Sequence, residues 1–176
     1  EIGKITNKDE ENIWIIDPID GTTNFLNGIP HFAICIALQS KKEIISGLIF
    51  DPIKDEMFFA EKNKGSYLNN RRLRVSKKNL IDDCLFSSNH VGVRFSNFNM
   101  RYTGCAALDL AYVAAGRFDG FFHNDINIWD VAAGSLMVQE AGGVVNDLNK
   151  FKDNAINIRA SSDGINDKML RELENF

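Results

Sequence analysis

Cysteine is scarce and poorly spaced for covalent or metal chemistry. The chain carries three, Cys35, Cys84 and Cys105, all far apart. None forms a CxxC pair, so neither a zinc site nor a disulfide framework is supported. Cys35 and Cys84 lie in apolar runs and read as small buried hydrophobes. Histidine is equally sparse, at His31, His90 and His123. There is no GxSxG, no P-loop and no GxGxxG, which argues against a serine hydrolase, a Walker-type NTPase and a dinucleotide enzyme. No run approaches the roughly 18 apolar residues of a membrane span, and no signal peptide opens the chain. A reducing, cytoplasmic setting is therefore expected. Positive charge is not in excess: the net charge is −4. No global field draws the chain to nucleic acid or acidic membranes. The densest basic run, Arg71-Arg72-Leu73-Arg74 with Lys77-Lys78 after it, reads as a solvated hairpin edge in preference to a nucleic-acid patch. No initiator Met is present, so Glu1 reads as an internal position.

What is present is an ordinary globular composition, 44% hydrophobic and 25% charged over 176 residues. That length buries a core without staples. Ile13–Asp17 reads as a short central strand, apolar on both faces. Gly21–Asn27 reads as a short helix or turn, broken by Gly28-Ile29-Pro30. His31–Ser40, Glu43–Phe50 and Asp55–Glu61 follow as strands joined by short turns, and Asn69-Asn70 closes a small hairpin. The spacing predicts an antiparallel meander. Further strands are expected around Cys84–Phe86, Met100–Thr103, Phe118–Phe122, Val144-Val145 and Ile156–Ala160. Gly104–Gly116 and Trp129–Ala141 carry helical periodicity. A terminal helix is expected over Ile165–Leu173, capped by Asp163. Strand, meander, then alternating helices and strands imply stacked sheet and helix layers. They form one domain, with a strand-rich half (1–88) and an αβα half (97–176).

The chemistry concentrates in Trp14–Phe25, WIIDPIDGTTNF. Asp17 closes a buried strand, where an unpaired carboxylate is costly. Asp20 follows three residues on, with Pro18 fixing the backbone between them. The Ile19 carbonyl points out of such a turn. These oxygens suit a hard cation such as Mg²⁺, which keeps waters for a substrate phosphate. The alternative is a turn in which both Asp side chains bond backbone N–H groups. Gly21-Thr22 tips the reading: their N–H groups can hold a phosphate, and the Thr22 hydroxyl can orient water. Asp130, opening the second long helix, is either its N-cap or a third carboxylate of a two-metal site. Gly104-Cys105-Ala106 can offer backbone amides to a substrate oxygen or simply pack closely. Asp109 reads as structural, and His123 as a substrate contact or a loop surface. His31 reads as packed beside Phe32.

Trp14–Phe25 resembles the first signature of the inositol monophosphatase family. Trp129–Asp147, WDVAAGSLMVQEAGGVVND, resembles its second, in the same order and rough spacing. Gly104–Phe122 is similar to the bacterial inositol-1-monophosphatase (extragenic suppressor) branch. The resemblance covers nearly the whole chain. It implies an α+β fold, the layered αβαβα sandwich of the sugar phosphatases. It also implies phosphate-monoester hydrolysis by direct attack of water, without a phosphoenzyme. By motif position Asp17, Asp20, Asp130 and the Ile19 carbonyl are Mg²⁺ ligands. Gly21 and Thr22 contact phosphate, with Thr22 helping to place the water. Gly104 and Ala106 match positions near the inositol ring. Lithium sensitivity, a homodimer, a cytoplasmic location and a small phosphorylated polyol substrate are further implications.

Three departures bear on this. The family has a helical N-terminal segment ending in a Glu-Glu pair that supplies a metal ligand. Glu1-Ile2-Gly3 matches the residues just after it, so that ligand is expected to lie outside this sequence. Only about a dozen residues separate Ser88 from Arg101, too few for the family's strand and long helix, and residues are expected to be missing near Asn89–Phe95. His123 stands where animal enzymes carry a Glu that contacts inositol hydroxyls. Fructose-1,6-bisphosphatase and histidinol-phosphatase activities therefore stay open. Thr23-Asn24 argues against the nucleotide 3′-phosphatases, which carry DGTKEF. A different class remains: a regulatory protein on the same fold that engages the transcription machinery.

Overall fold

The computed structural model describes residues 12–88, 98–146 and 155–174. Glu1 and the segment around Asn89–Phe95 lie outside the described residues.

The first half is a six-stranded antiparallel meander. Its strands are β1 (Asn12–Asp20), β2 (Ala33–Ser40), β3 (Glu43–Asp51), β4 (Glu56–Glu61), β5 (Gly65–Leu68) and β6 (Arg71–Arg72), in that order across the sheet. α1 (Thr22–Leu26) interrupts it after β1. The turns explain the order. Asn69 and Asn70 both take positive φ (43° and 68°), the mirror-image turn whose twist suits a two-residue hairpin. Arg71 and Arg72 form the exposed last strand, as expected of a charged edge.

The second half is a mixed sheet in the order β10-β11-β9-β7-β8. It comprises β7 (Leu85–Ser87), β8 (Asn99–Arg101), β9 (Gly120–Asn127), β10 (Gly143–Asn146) and β11 (Ala155–Ser162). β7 runs parallel to β8 and β9, and the other pairs are antiparallel. α2 (Ala106–Ala114) and α3 (Ile128–Glu140) lie between the sheets and touch both. α4 (Asn166–Glu172) belongs to a second apolar cluster, in which Met169 and Ile165 meet Phe86 and Phe122. The main core is the inner face of the meander (Cys35, Ala37, Ile49, Phe58, Ala60) closed by Leu108, Leu110, Val131 and Met137 of the two helices. All three cysteines are buried and free. No described helix is long and apolar enough to cross a membrane.

Three expectations need correction. Among the described residues β1 is an edge strand, and it runs on through Pro18 to Asp20. Its burial alternates, leaving Trp14 62% and Ile16 53% exposed. An unbroken apolar run looks doubly buried, but only its inner face meets described residues. The outer face also exposes Ile34, Met57 and Phe59. Second, β9 extends to Asn127, so His123 is on a strand opposite Ile158. Third, Asp163 does not cap α4: it opens a 3₁₀ turn, and Ile165 stands at the N-cap.

α3 is also stapled to the meander at its far end. The Glu140 carboxylate accepts the N–H groups of Asn63 (2.7 Å) and Gly65 (2.8 Å) in the β4–β5 turn. Charge-assisted bonds to backbone donors are stronger than neutral ones, but this turn is partly open to water. Glu140→Ala is expected to cost about 1–2 kcal/mol in urea unfolding with an unchanged slope. A midpoint equal to wild type would mean the staple carries no net stability.

Candidate metal centre

In an unbroken strand, residues three apart face opposite sides. β1 is not unbroken where it matters. Asp17 pairs with Cys35, the register then shifts, and Asp20 pairs with Ala33. Pro18 lies in the shifted stretch and has no N–H for the ladder. The irregularity brings the two carboxylates together. Asp17 Oδ1 accepts the Ile19 N–H at 3.0 Å, the local turn that one reading of the motif anticipated. Asp20 is held mainly from elsewhere. Its Oδ2 accepts the Ala107 N–H at 2.7 Å and the Cys105 Sγ–H at 3.0 Å. Ala107 is in the first turn of α2, whose amides lack intrahelical acceptors and favour negative charge. Burial first, then the charge of Asp20, raises the Cys105 thiol, so it stays protonated and donates.

Asp130 enters from the other side, in the first turn of α3. Asn127 occupies the N-cap position, so Asp130 is not the N-cap. Asp17, Asp20 and Asp130 each offer a carboxylate oxygen, and the three atoms lie within 4.8 Å of one another. They repel. Burial chiefly, with the charge of Asp17 adding, lifts Asp20 to about 6 against its hydrogen bonds to Cys105, Ala107 and Gly21. Burial, then the charge of Asp20, then the neighbouring Asp17 carboxyl lift Asp130 to about 8. Such a cluster needs protons or a cation to neutralise it. Its donors are all oxygen, which suits a hard divalent ion and no thiophilic one. These residues fit Mg²⁺.

The phosphate side of the motif lies alongside. Gly21 is left-handed (φ 87°) at the start of α1, a conformation glycine takes without strain. A Cβ there would also meet the His31 carbonyl at 3.1 Å and the Gly104 carbonyl at 3.3 Å. Thr22 is exposed, and its hydroxyl donates to the Ile19 carbonyl at 2.9 Å. That carbonyl, an expected ligand, keeps a second lone pair. Gly104 is exposed beside Gly21, whereas Ala106 is buried at the head of α2. His123 is half-buried on β9, the strand that leads into Asp130. The Gly104–Ala106 stretch opens a helix as expected, but the amide just beyond it, that of Ala107, holds a protein carboxylate. Cys105 as a donor to Asp20 has no local sequence signal, because the two are 85 residues apart.

Two sheets sandwich a helical pair, and three carboxylates converge from a strand end and a helix start, an arrangement that could hold a metal ion. The comparisons with known proteins give the family. A model of the inositol monophosphatase family matches residues 1–174. The chain is 45% identical over 155 residues to an inositol-1-monophosphatase of Rhizobium meliloti, covering 80% of this chain and 58% of that protein. It is 43% identical over 163 residues to the Escherichia coli K12 Nus factor SuhB, covering 84% of this chain and 61% of that protein. The crystal structure of the extragenic suppressor protein suhB from Bartonella henselae superposes with a TM-score of 0.91 at 44% identity, covering 98% of this chain and 74% of that one. The chain belongs to the inositol monophosphatase family. It spans less than two thirds of the length of the R. meliloti and E. coli relatives.

Proposed function

We propose that the whole protein hydrolyses a phosphate monoester with Mg²⁺, its substrate inositol 1-phosphate or a related sugar or polyol phosphate. The convergence of Asp17, Asp20 and Asp130 carries this reading. When bound, the cation supplies a water acidic enough to attack near neutral pH and charge to offset the phosphate oxygens and the leaving alkoxide. Asp17, Asp20, Asp130 and the Ile19 carbonyl would hold it. The Thr22 hydroxyl spends its proton on Ile19 and turns its lone pairs to the attacking water. Gly21 and Thr22 contact the phosphate at the turn, the Thr22 N–H donating and Gly21, whose own N–H bonds Asp20, allowing the close backbone approach. The water oxygen ends on phosphorus, the ester P–O bond breaks, and the polyol oxygen leaves with a proton. Gly104, Ala106 and His123 stand on the substrate side. The reading includes a single domain, a homodimer, lithium sensitivity and a cytoplasmic location.

The second reading is a regulatory protein that contacts the transcription machinery. The E. coli relative named as a Nus factor supports it. The intact DPIDGTT of Asp17–Thr23 and the Trp129-Asp130 pair favour catalysis over it. The test is phosphate release by the full-length protein with Mg²⁺ from myo-inositol 1-phosphate, fructose 1,6-bisphosphate and histidinol phosphate. Release from the first above the others is expected. No release from any of them would overturn the enzyme reading.

A further inference from the structure

The metal-site reading treats Asp17, Asp20 and Asp130 as ligands but leaves unexplained how two distant pieces of chain stay in register there. Asn24 answers this. It is 8% exposed on a short helix whose other side chains are mostly in solvent. Its Nδ2 has two hydrogens and gives both to backbone carbonyls: His31 at 2.8 Å and Thr103 at 2.9 Å. The first closes the loop between α1 and β2. The second reaches 79 residues along the chain, to the turn before α2. Thr103 is itself fixed to that helix. Its hydroxyl donates to Asp109 Oδ1 at 2.7 Å and accepts the Cys105 N–H at 3.3 Å. From the same helix start, Cys105 and Ala107 hold Asp20 Oδ2.

We propose that Asn24 is a positioning residue for the metal centre. It ties the Asp20 turn to the head of α2, so that α2 holds Asp20 Oδ2 while the carboxylate stays beside Asp17 and Asp130. The inference rests on the metal-site reading. Hydrogen-bond geometry at a carboxylate is set within a few tenths of an ångström, and first-contact ligands depend on the groups that orient them. Removing the amide frees the two turns to drift relative to each other. Asp20 then loses either its α2 donors or its aim at the cation.

The test is Mn²⁺ binding to the full-length protein, followed by electron paramagnetic resonance and by thermal melting without metal. The variants are Asn24→Ala, Cys105→Ala and the double variant. Asn24→Ser, which retains a short donor, serves where Asn24→Ala does not fold. The dissociation constant for Mn²⁺ is expected to rise about tenfold or more in folded Asn24→Ala, and by less in Asn24→Ser. The double variant is expected to weaken binding by less than the product of the two single effects, because both act on the hold over Asp20. A purely structural Asn24 would lower the melting temperature and leave the dissociation constant of the folded protein at the wild-type value. That result would overturn the proposal while sparing the metal site. Failure of the wild-type protein to bind Mn²⁺ would instead remove the site, and this role with it.

Discussion

Asp20→Asn is expected to cut phosphate release about a thousandfold or more and yet to leave the metal-free protein more stable than wild type at pH 7. The Asn oxygen can still accept the Ala107 N–H that Asp20 Oδ2 accepts now, so the turn keeps its anchor. What changes is the side facing the cation, where a carboxylate oxygen becomes an amide donor. The stability gain follows from the sign of the pKa shift. The folded state raises Asp20 from 3.8 to about 6, so it holds the proton more tightly than the unfolded chain does. The corresponding stability is fully present below about pH 4 and is lost as pH rises through about 6. At neutral pH the metal-free wild type has forfeited roughly 3 kcal/mol on this account. Asp130, raised to about 8, extends the loss to higher pH. The Asn variant lacks the Asp20 part. Saturating Mg²⁺ is expected to invert the order, because on the proposed reading it would bind only the intact folded site. Melting curves with and without Mg²⁺ at pH 7 check both halves. A variant stabilised by Mg²⁺ as much as wild type would remove Asp20 from the site.

The largest stability loss is expected at Gly134, where α3 crosses α2. A Cβ there would stand 2.5 Å from the Leu110 Cβ and 2.9 Å from its Cδ1. The first is an atom fixed to backbone, so rotating Leu110 does not relieve it. Both helices are buried at the crossing, with no solvent side to yield toward. Gly134→Val adds three carbons to this contact and is expected to cost about 3 kcal/mol or more. For a chain of this size that lowers the melting temperature by about 10 °C. Asp130 is one turn away on α3, so the shifted helix should weaken metal binding as well. Gly134→Ala is expected to do both to a lesser degree. A Gly134→Val melt within 2 °C or so of wild type would contradict the close crossing, given the size of an ordinary overpacking penalty.

The residues of the candidate site are legible because they fall in short stretches, and the structure brings Asp17, Asp20 and Asp130 together. Asp17, Asp20, Gly21 and Thr22 fall within one turn of chain, and Asp130 opens a helix whose periodicity is plain. The meander was legible from its turns, Asn69-Asn70 above all. Lys41-Lys42 makes the same kind of turn with both residues at positive φ (48° and 69°), although lysine is no usual choice there. The sequence makes β9 look too short because Asn124 and Asp125 resemble loop residues. Asp125 sits at φ 59° in the strand, near where its register with β11 shifts. Such an irregularity lets polar turn residues remain within a ladder. The edge position of β1 was hidden because periodicity reports apolarity and not what covers it. Asn24, Thr103 and Cys105 were hidden for another reason. Their partners are 79 and 85 residues away, and no local pattern records such a bond.

Calorimetric Mg²⁺ titration of the full-length protein, beside its Asp17→Asn, Asp20→Asn and Asp130→Asn variants, tests the central claim that one strand end and one helix start share a cation. Saturable binding is expected in wild type. Each variant should lose it or weaken it by at least about tenfold, Asp130→Asn included. Binding by Asp130→Asn with wild-type affinity would show that α3 contributes no ligand and would contradict the account.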